Sequence, residues 1–251
     1  MTFSSQIPVL KSLCAAVVCQ ALESANTVGY SQTDYRKKYT LVVPEFDKVG
    51  AAGLDIQTIK PVNIDMDDYG EGDINIQTFT DSATASQKFY WYDENVSETG
   101  LSGWHNATGD MLATNTFTKG EGFMLYMPVA GGALNVSGEV SLDEVTIPCR
   151  KKYTLMGNIR PVSVSIQDIV PANVDMDDYG EGDINIQTFT DSATASQKFY
   201  WYDETVSETG TSGWHNATGD ELATKTFAPA EGFMLYMPTT GGSLKYKVVT
   251  L

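Results

Sequence analysis

The chain is poor in cysteine, histidine and basic residues, and it has no long apolar run. Of its three cysteines, Cys14 and Cys19 lie within the first 25 residues and only Cys149 lies beyond them. A single cysteine closes no internal disulfide, so the body of the protein depends on packing or assembly. The two histidines, His105 and His215, stand 215 − 105 = 110 residues apart, each directly after a tryptophan. Two equivalent and separated histidines make neither a compact metal site nor a triad. With no nucleophile beside either, no catalytic residue and no enzymatic activity are expected. The 16 basic residues face 32 acidic ones, a formal net charge of −16. That balance excludes nucleic acid as a partner, because phosphate backbones are held by Lys and Arg that release counterions. The same charge keeps an exported protein soluble and draws in divalent cations. The longest apolar stretch, residues 13–22, is too short to span a bilayer.

What is present in quantity is repetition. The 30 residues DMDDYGEGDINIQTFTDSATASQKFYWYDE from Asp65 recur letter for letter from Asp175, an offset of 175 − 65 = 110. That period is the size of a small domain and not of a solenoid unit. Arg36-Lys37-Lys38-Tyr39-Thr40-Leu41 recurs from Arg150 at an offset of 150 − 36 = 114, which places four extra residues of the first copy in the loop around Gly50 and Gly53. The expected division is residues 1–25 as a signal peptide or N-terminal helix, 26–142 as a first β domain and 143–251 as its duplicate. Residues 1–25 carry Lys11 before a short apolar core, the pattern of a secretory signal, with Ala21 or Ala25 at the cleavage point.

Ile74 and Ile76 alternate with Asn75 and Gln77, the period of a strand with one buried face. In Phe89-Tyr90-Trp91-Tyr92 both faces are aromatic. Residues 54–60 read as a strand closed by Pro61, and residues 121–127 as a strand stopped by Pro128. No stretch after residue 25 has a helical period of useful length, and strand candidates recur about every ten residues between Gly, Asp and Asn. The fold expected is all-β, two tandem and near-identical β-sandwiches or small barrels. Residues 134–142 lead into the second copy without a Pro- or Ser-rich linker, which favours a fixed relation between the two.

Asn26-Thr27-Val28-Gly29-Tyr30, Asp55-Ile56-Gln57, Gly103-Trp104 and Gly120-Glu121-Gly122-Phe123, behind a signal-like segment, resemble a loose group of uncharacterised secreted two-domain β proteins of anaerobic bacteria. The resemblance implies an extracellular address and a repeated β architecture, and it brings no catalytic residues.

Two sets of residues are candidate sites. The first is the acidic turn Asp65, Asp67, Asp68, Glu71 and Asp73, copied as Asp175, Asp177, Asp178, Glu181 and Asp183. Asp-x-Asp with Gly70 at the sixth place suits a calcium loop. Tyr69 at the fifth place, and the lack of Glu at the twelfth, exclude an EF-hand. The turn is either a weak extracellular calcium site or a solvated acidic loop. The second set is aromatic: Tyr90, Tyr92, Trp104 and Tyr126, with Tyr200, Tyr202, Trp214 and Tyr236. Such rings stack on sugars, line protein interfaces or pack in cores.

Duplicated surfaces joined in tandem are expected to meet head to tail, and an unclosed head-to-tail contact propagates. Val28 and Tyr30 suit strand addition to a neighbour. Leu101 and Met111, which become Thr211 and Glu221 in the second copy, would make one end apolar. The expectation is a secreted structural subunit assembling with copies of itself into a filament, sheath or surface layer. The alternative is a bivalent carbohydrate-binding or adhesin module, calcium-dependent if the acidic turn holds a cation, whose partners are glycans or cell-surface polymers.

Overall fold

The computed structural model describes residues 28–35, 37–46, 53–64, 74–79, 85–95, 97–174, 183–189 and 195–249. The signal-like segment lies outside these residues, and so do nine of the ten acidic-turn residues: Asp65, Asp67, Asp68, Glu71, Asp73, Asp175, Asp177, Asp178 and Glu181. The tenth, Asp183, is exposed. The fold is all-β in small sheets, and the described residues hold 3-10 turns but no α-helix. No helix among them is long and apolar enough to cross a membrane.

The first half runs β1 (Val28–Asp34), β2 (Lys38–Val42), β3 (Leu54–Asp55), β4 (Lys60–Val62), β5 (Asn75–Phe79), β6 (Ala85–Tyr92), β7 (Gly103–His105), β8 (Thr116–Phe117), β9 (Phe123–Met127) and β10 (Ala133–Glu139). The second runs β11 (Val145–Pro148), β12 (Lys152–Gly157), β13 (Val164–Ser165), β14 (Ile169–Ala172), β15 (Asn185–Phe189), β16 (Ala195–Tyr202), β17 (Gly213–His215), β18 (Thr226–Phe227), β19 (Gly232–Met237) and β20 (Ser243–Tyr246). Each half builds a five-stranded sheet, ordered β2-β9-β5-β6-β7 and β12-β19-β15-β16-β17. Each also builds a three-stranded sheet, β1-β10-β4 and β11-β20-β14, and a two-stranded ribbon, β3-β8 and β13-β18. All the pairings are antiparallel. Residues 134–142 do not simply lead across: most of them form β10, the central strand of the first three-stranded sheet.

Alternation along the strands decides what is buried. Val42, Ile76, Phe89, Trp104, Phe123 and Leu125 point inward from the first five-stranded sheet and meet Leu134 and Val136 of β10, Leu54 and Phe117 of the ribbon and Ile56 just after β3. The second half repeats this with Met156, Ile186, Phe199, Trp214, Phe233 and Leu235 against Leu244, Tyr246, Val164, Ile166 and Phe227.

Residues 54–60 do not form one strand ended by Pro61. Asp55 caps a 3-10 turn at Ile56–Thr58, its side chain accepting from the Gln57 N–H at 2.9 Å. Pro61 then sits inside β4. It is tolerated there because β4 is an edge strand, where a missing N–H costs no ladder bond.

The 3-10 turn aims Gln57 at two backbones at once. Its Nε2 donates to the carbonyls of Trp104 (2.7 Å) and Ala113 (2.8 Å), and its Oε1 accepts from the Trp104 N–H (3.1 Å). Gln167 does the same for Trp214 and Ala223. One side chain thereby bonds three backbone groups, pinning β7 and the segment at Ala113, which also donates its N–H to the Trp104 carbonyl at 2.7 Å, to the 3-10 turn.

The halves meet at the C-terminal ends of β2 and β12, and the contact is reciprocal. By the two offsets Leu41 corresponds to Leu155, Val43 to Gly157, and Gly122 to Gly232. Gly122 donates its N–H to the Leu155 carbonyl at 2.9 Å, and in return a Cβ at Gly232 would stand 2.8 Å from the Leu41 carbonyl. Val42 bridges Glu231, while their counterparts Met156 and Glu121 line one small cleft of about 100 Å³ between the halves. Val43 and Gly157, which correspond to each other, also touch: Val43 Cγ2 lies 2.9 Å from where a Gly157 Cβ would be. Two copies that exchange contacts in this way, with one residue against its own counterpart, are related by an approximate two-fold axis. The expected head-to-tail contact is therefore not what joins the halves in this chain, where like segments face like segments in a contact that closes on itself.

Candidate functional site

Of the aromatic candidates, Trp104 and Trp214 are fully buried. Each donates its indole N–H to a backbone carbonyl, Ile59 for Trp104 (2.6 Å) and Ile169 for Trp214 (2.5 Å). Each also meets a second tryptophan edge-on, Trp91 at 5.4 Å and Trp201 at 5.5 Å between centroids. They are core residues and offer no face to a ligand, which corrects their place among the surface candidates. The reason is parity: Trp104 pairs with Trp91, on the inward side of β6.

The tyrosines lie on the other side. Register places Tyr39 opposite Tyr126, Tyr126 opposite Asn75, and Asn75 opposite Tyr90, so these four side chains form one row across the outer face of the first sheet. A second row, Leu41, Met124, Gln77 and Lys88, runs beside it. Tyr39 and Tyr126 pack with centroids 5.0 Å apart and planes at 60°. Gln77 Nε2 donates to Tyr39 Oη and to Asn75 Oδ1, both at 3.2 Å, which fixes the amides between the rings. Asn75 and Gln77 are buried beneath the array, the three tyrosines are half-buried and Lys88 is exposed.

The second half carries the same face. Tyr153, Tyr236, Asn185 and Tyr200 stand in register, with Leu155, Met234, Gln187 and Lys198 beside them. Tyr153 and Tyr236 are 5.1 Å apart at 63°, and Gln187 donates to Asn185 at 3.1 Å. Tyr39, Asn75, Gln77 and Lys88 escaped the reading of the sequence as site residues because they join the tyrosines only through pairing of distant strands. The signal available was the parity of Asn75 and Gln77 against Ile74 and Ile76.

Tyr92 and Tyr202, at the end of β6 and β16, stand edge-on to His105 and His215 at 5.1 and 5.2 Å. Both histidines are fully buried. His105 Nδ1 lies 2.9 Å from the Gly103 carbonyl, which only accepts, so that nitrogen carries the hydrogen. Nε2 faces the Thr99 hydroxyl at 2.8 Å. His215 repeats this with Gly213 and Thr209. Nε2 thus ties down the turn before β7 or β17, and Nδ1 the first residue of the strand itself.

Leu101 is 53% exposed and Met111 61%, on either side of β7. Tyr30, in β1, is 64% exposed; of Val28 only the backbone, paired with Glu139, is described. No group of three or more metal-ligating side chains occurs among the described residues. No protein-family model, no curated protein and no solved structure matches the chain.

Proposed function

We propose that the protein is a secreted, non-catalytic binding module: two tandem, near-identical β-sandwich-like units, each offering its tyrosine row to a neutral polysaccharide. The observation that carries this reading is the duplicated row, Tyr39, Tyr126, Asn75 and Tyr90 against Tyr153, Tyr236, Asn185 and Tyr200. Tyrosine supplies flat apolar area with a polar tip at low cost in side-chain entropy. The amides of Asn75 and Gln77, buried beneath the rings and bonded to each other and to Tyr39, hold the row in place before any ligand arrives. Tyr126 and Tyr90 stand two strands apart, about 10 Å, a separation suited to successive contacts along an extended chain. Linked sugars with equatorial substituents, as in β-1,4-glucans, present the flat faces that such rings stack on. A net charge of −16 disfavours acidic glycans.

The test is a glycan array followed by calorimetry with cellohexaose. Tyr126→Ala together with Tyr236→Ala is expected to weaken binding about tenfold, since losing one stacked ring at a site costs about 1 kcal/mol or slightly more. The far-UV spectrum should not change. No binding to any neutral glycan on the array rejects the reading.

A second reading, a structural subunit that assembles with copies of itself at the cell surface, is favoured by the exposure of Tyr30, Leu101 and Met111. Light scattering that rises with protein concentration in the absence of glycan supports it. A monomer at high concentration, with and without calcium, rejects it.

A further inference from the structure

We infer that the two tyrosine rows engage separate polysaccharide chains of opposite polarity, so that the protein bridges chains and does not grip one chain twice. This inference rests on the reading of the rows as glycan sites and adds to it the geometry of the junction.

Both rows lead to that junction. Leu41, beside Tyr39 on the outer face, is buried with Gly232 against it. Leu155, beside Tyr153, accepts the hydrogen bond from Gly122. Gly122 approaches Leu155 as Gly232 approaches Leu41, and Val43 lies against its own counterpart Gly157, so the operation relating the rows is close to a two-fold rotation. The line joining two points related by a two-fold axis is perpendicular to that axis, and the rotation reverses any direction along it. A polymer with distinct ends that runs from the first row towards the second would arrive there backwards relative to the polarity the second row accepts. Tandem repeats related by translation give avidity on one continuous chain. Repeats related by a closed two-fold join two chains, and the close glycine contacts hold the rows in that relation.

The experiment uses the full chain with two probes, cellohexaose and a soluble mixed-linkage β-glucan. Calorimetry with cellohexaose should give two equivalent sites per chain. Titrating the protein into the glucan should raise light scattering to a maximum and then lower it at excess protein, as each chain saturates singly. The variant Tyr90→Ala/Tyr126→Ala, altered in the first row only, should still bind cellohexaose at one site and should lose the scattering rise. Two hexaose sites with soluble, non-scattering glucan complexes at every ratio overturn the bridging geometry and leave the sites standing. No hexaose binding by the unaltered chain overturns the sites themselves, and the bridging with them.

Discussion

Replacing Gly157 by valine, the residue that its counterpart Val43 already is, is expected to destabilise the protein by on the order of 3 kcal/mol, the upper end of what overpacking costs. A Cβ at position 157 would lie 2.4 Å from the Glu231 carbonyl oxygen, 2.7 Å from Gly232 Cα and 2.9 Å from Val43 Cγ2. Two of these neighbours are backbone, held by the pairing of β12 with β19 and by the Asn158 N–H to Glu231 carbonyl bond of 3.0 Å, so they cannot swing aside as a side chain would. Adding Val43→Gly should restore only part of the loss. It clears the third contact but not the first two, and it removes apolar surface that the second half now buries, since Val43 packs in that half's core. Chemical denaturation of the two single variants and the double variant gives the coupling between the positions. A Gly157→Val protein as stable as the unaltered one would overturn the close packing of β12 on β19, and the absence of any coupling between the two positions would remove the Val43–Gly157 contact on which the closed junction rests.

The alternation in Ile74 to Gln77 and in Phe89 to Tyr92 carried the five-stranded sheets, because a strand with one buried face writes its period into the sequence. The identical 30-residue block carried the repetition of sheet order. Three features lay beyond that kind of reading. Trp104 could stack on a ligand, line an interface or pack in the core until its pairing with Trp91 places it inside. The tyrosine row is assembled from β2, β5, β6 and β9, whose relative register no local pattern fixes. The orientation of the halves depends on a few close contacts at Gly122, Gly157 and Gly232. A repeat in sequence fixes what is duplicated but not the operation relating the copies. The exchange of Val43 for Gly157, just beyond the shared Lys-Lys-Tyr-Thr-Leu strand, was visible as a difference, and only the backbone approach gives it a meaning.

Substituting Glu45 by isoleucine is expected to stabilise the protein at neutral pH by about 1–3 kcal/mol, the cost of a buried polar group without partners. Glu45 is 2% exposed, and among the described residues its carboxylate oxygens make no hydrogen bond of good geometry, the Ser31 hydroxyl and its own backbone being only weak partners. The matching residue of the second half is Ile159, 1% exposed and part of that half's core, so the fold itself supplies the apolar solution at this position. Burial pushes the Glu45 carboxyl above its ordinary 4.5, against weaker pulls from the Ser31 hydroxyl and its own backbone. The sign follows from proton counting. Below the ordinary value both folded and unfolded chains are protonated at this group, and it adds no pH dependence. As pH rises past 4.5 the unfolded chain releases its proton while the folded chain keeps it, so stability falls up to the raised value and stays low above it. Thermal melts at pH 4 and pH 7 should therefore show Glu45→Ile gaining most at pH 7, at about 2–4 °C per kcal/mol for a chain of this size. Glu45→Gln, which removes the charge but keeps the polarity, should abolish the pH-dependent part and give less of the gain. An equal gain for isoleucine at both pH values would assign the effect to packing alone, and no gain at pH 7 would mean that the carboxylate is solvated or paired after all.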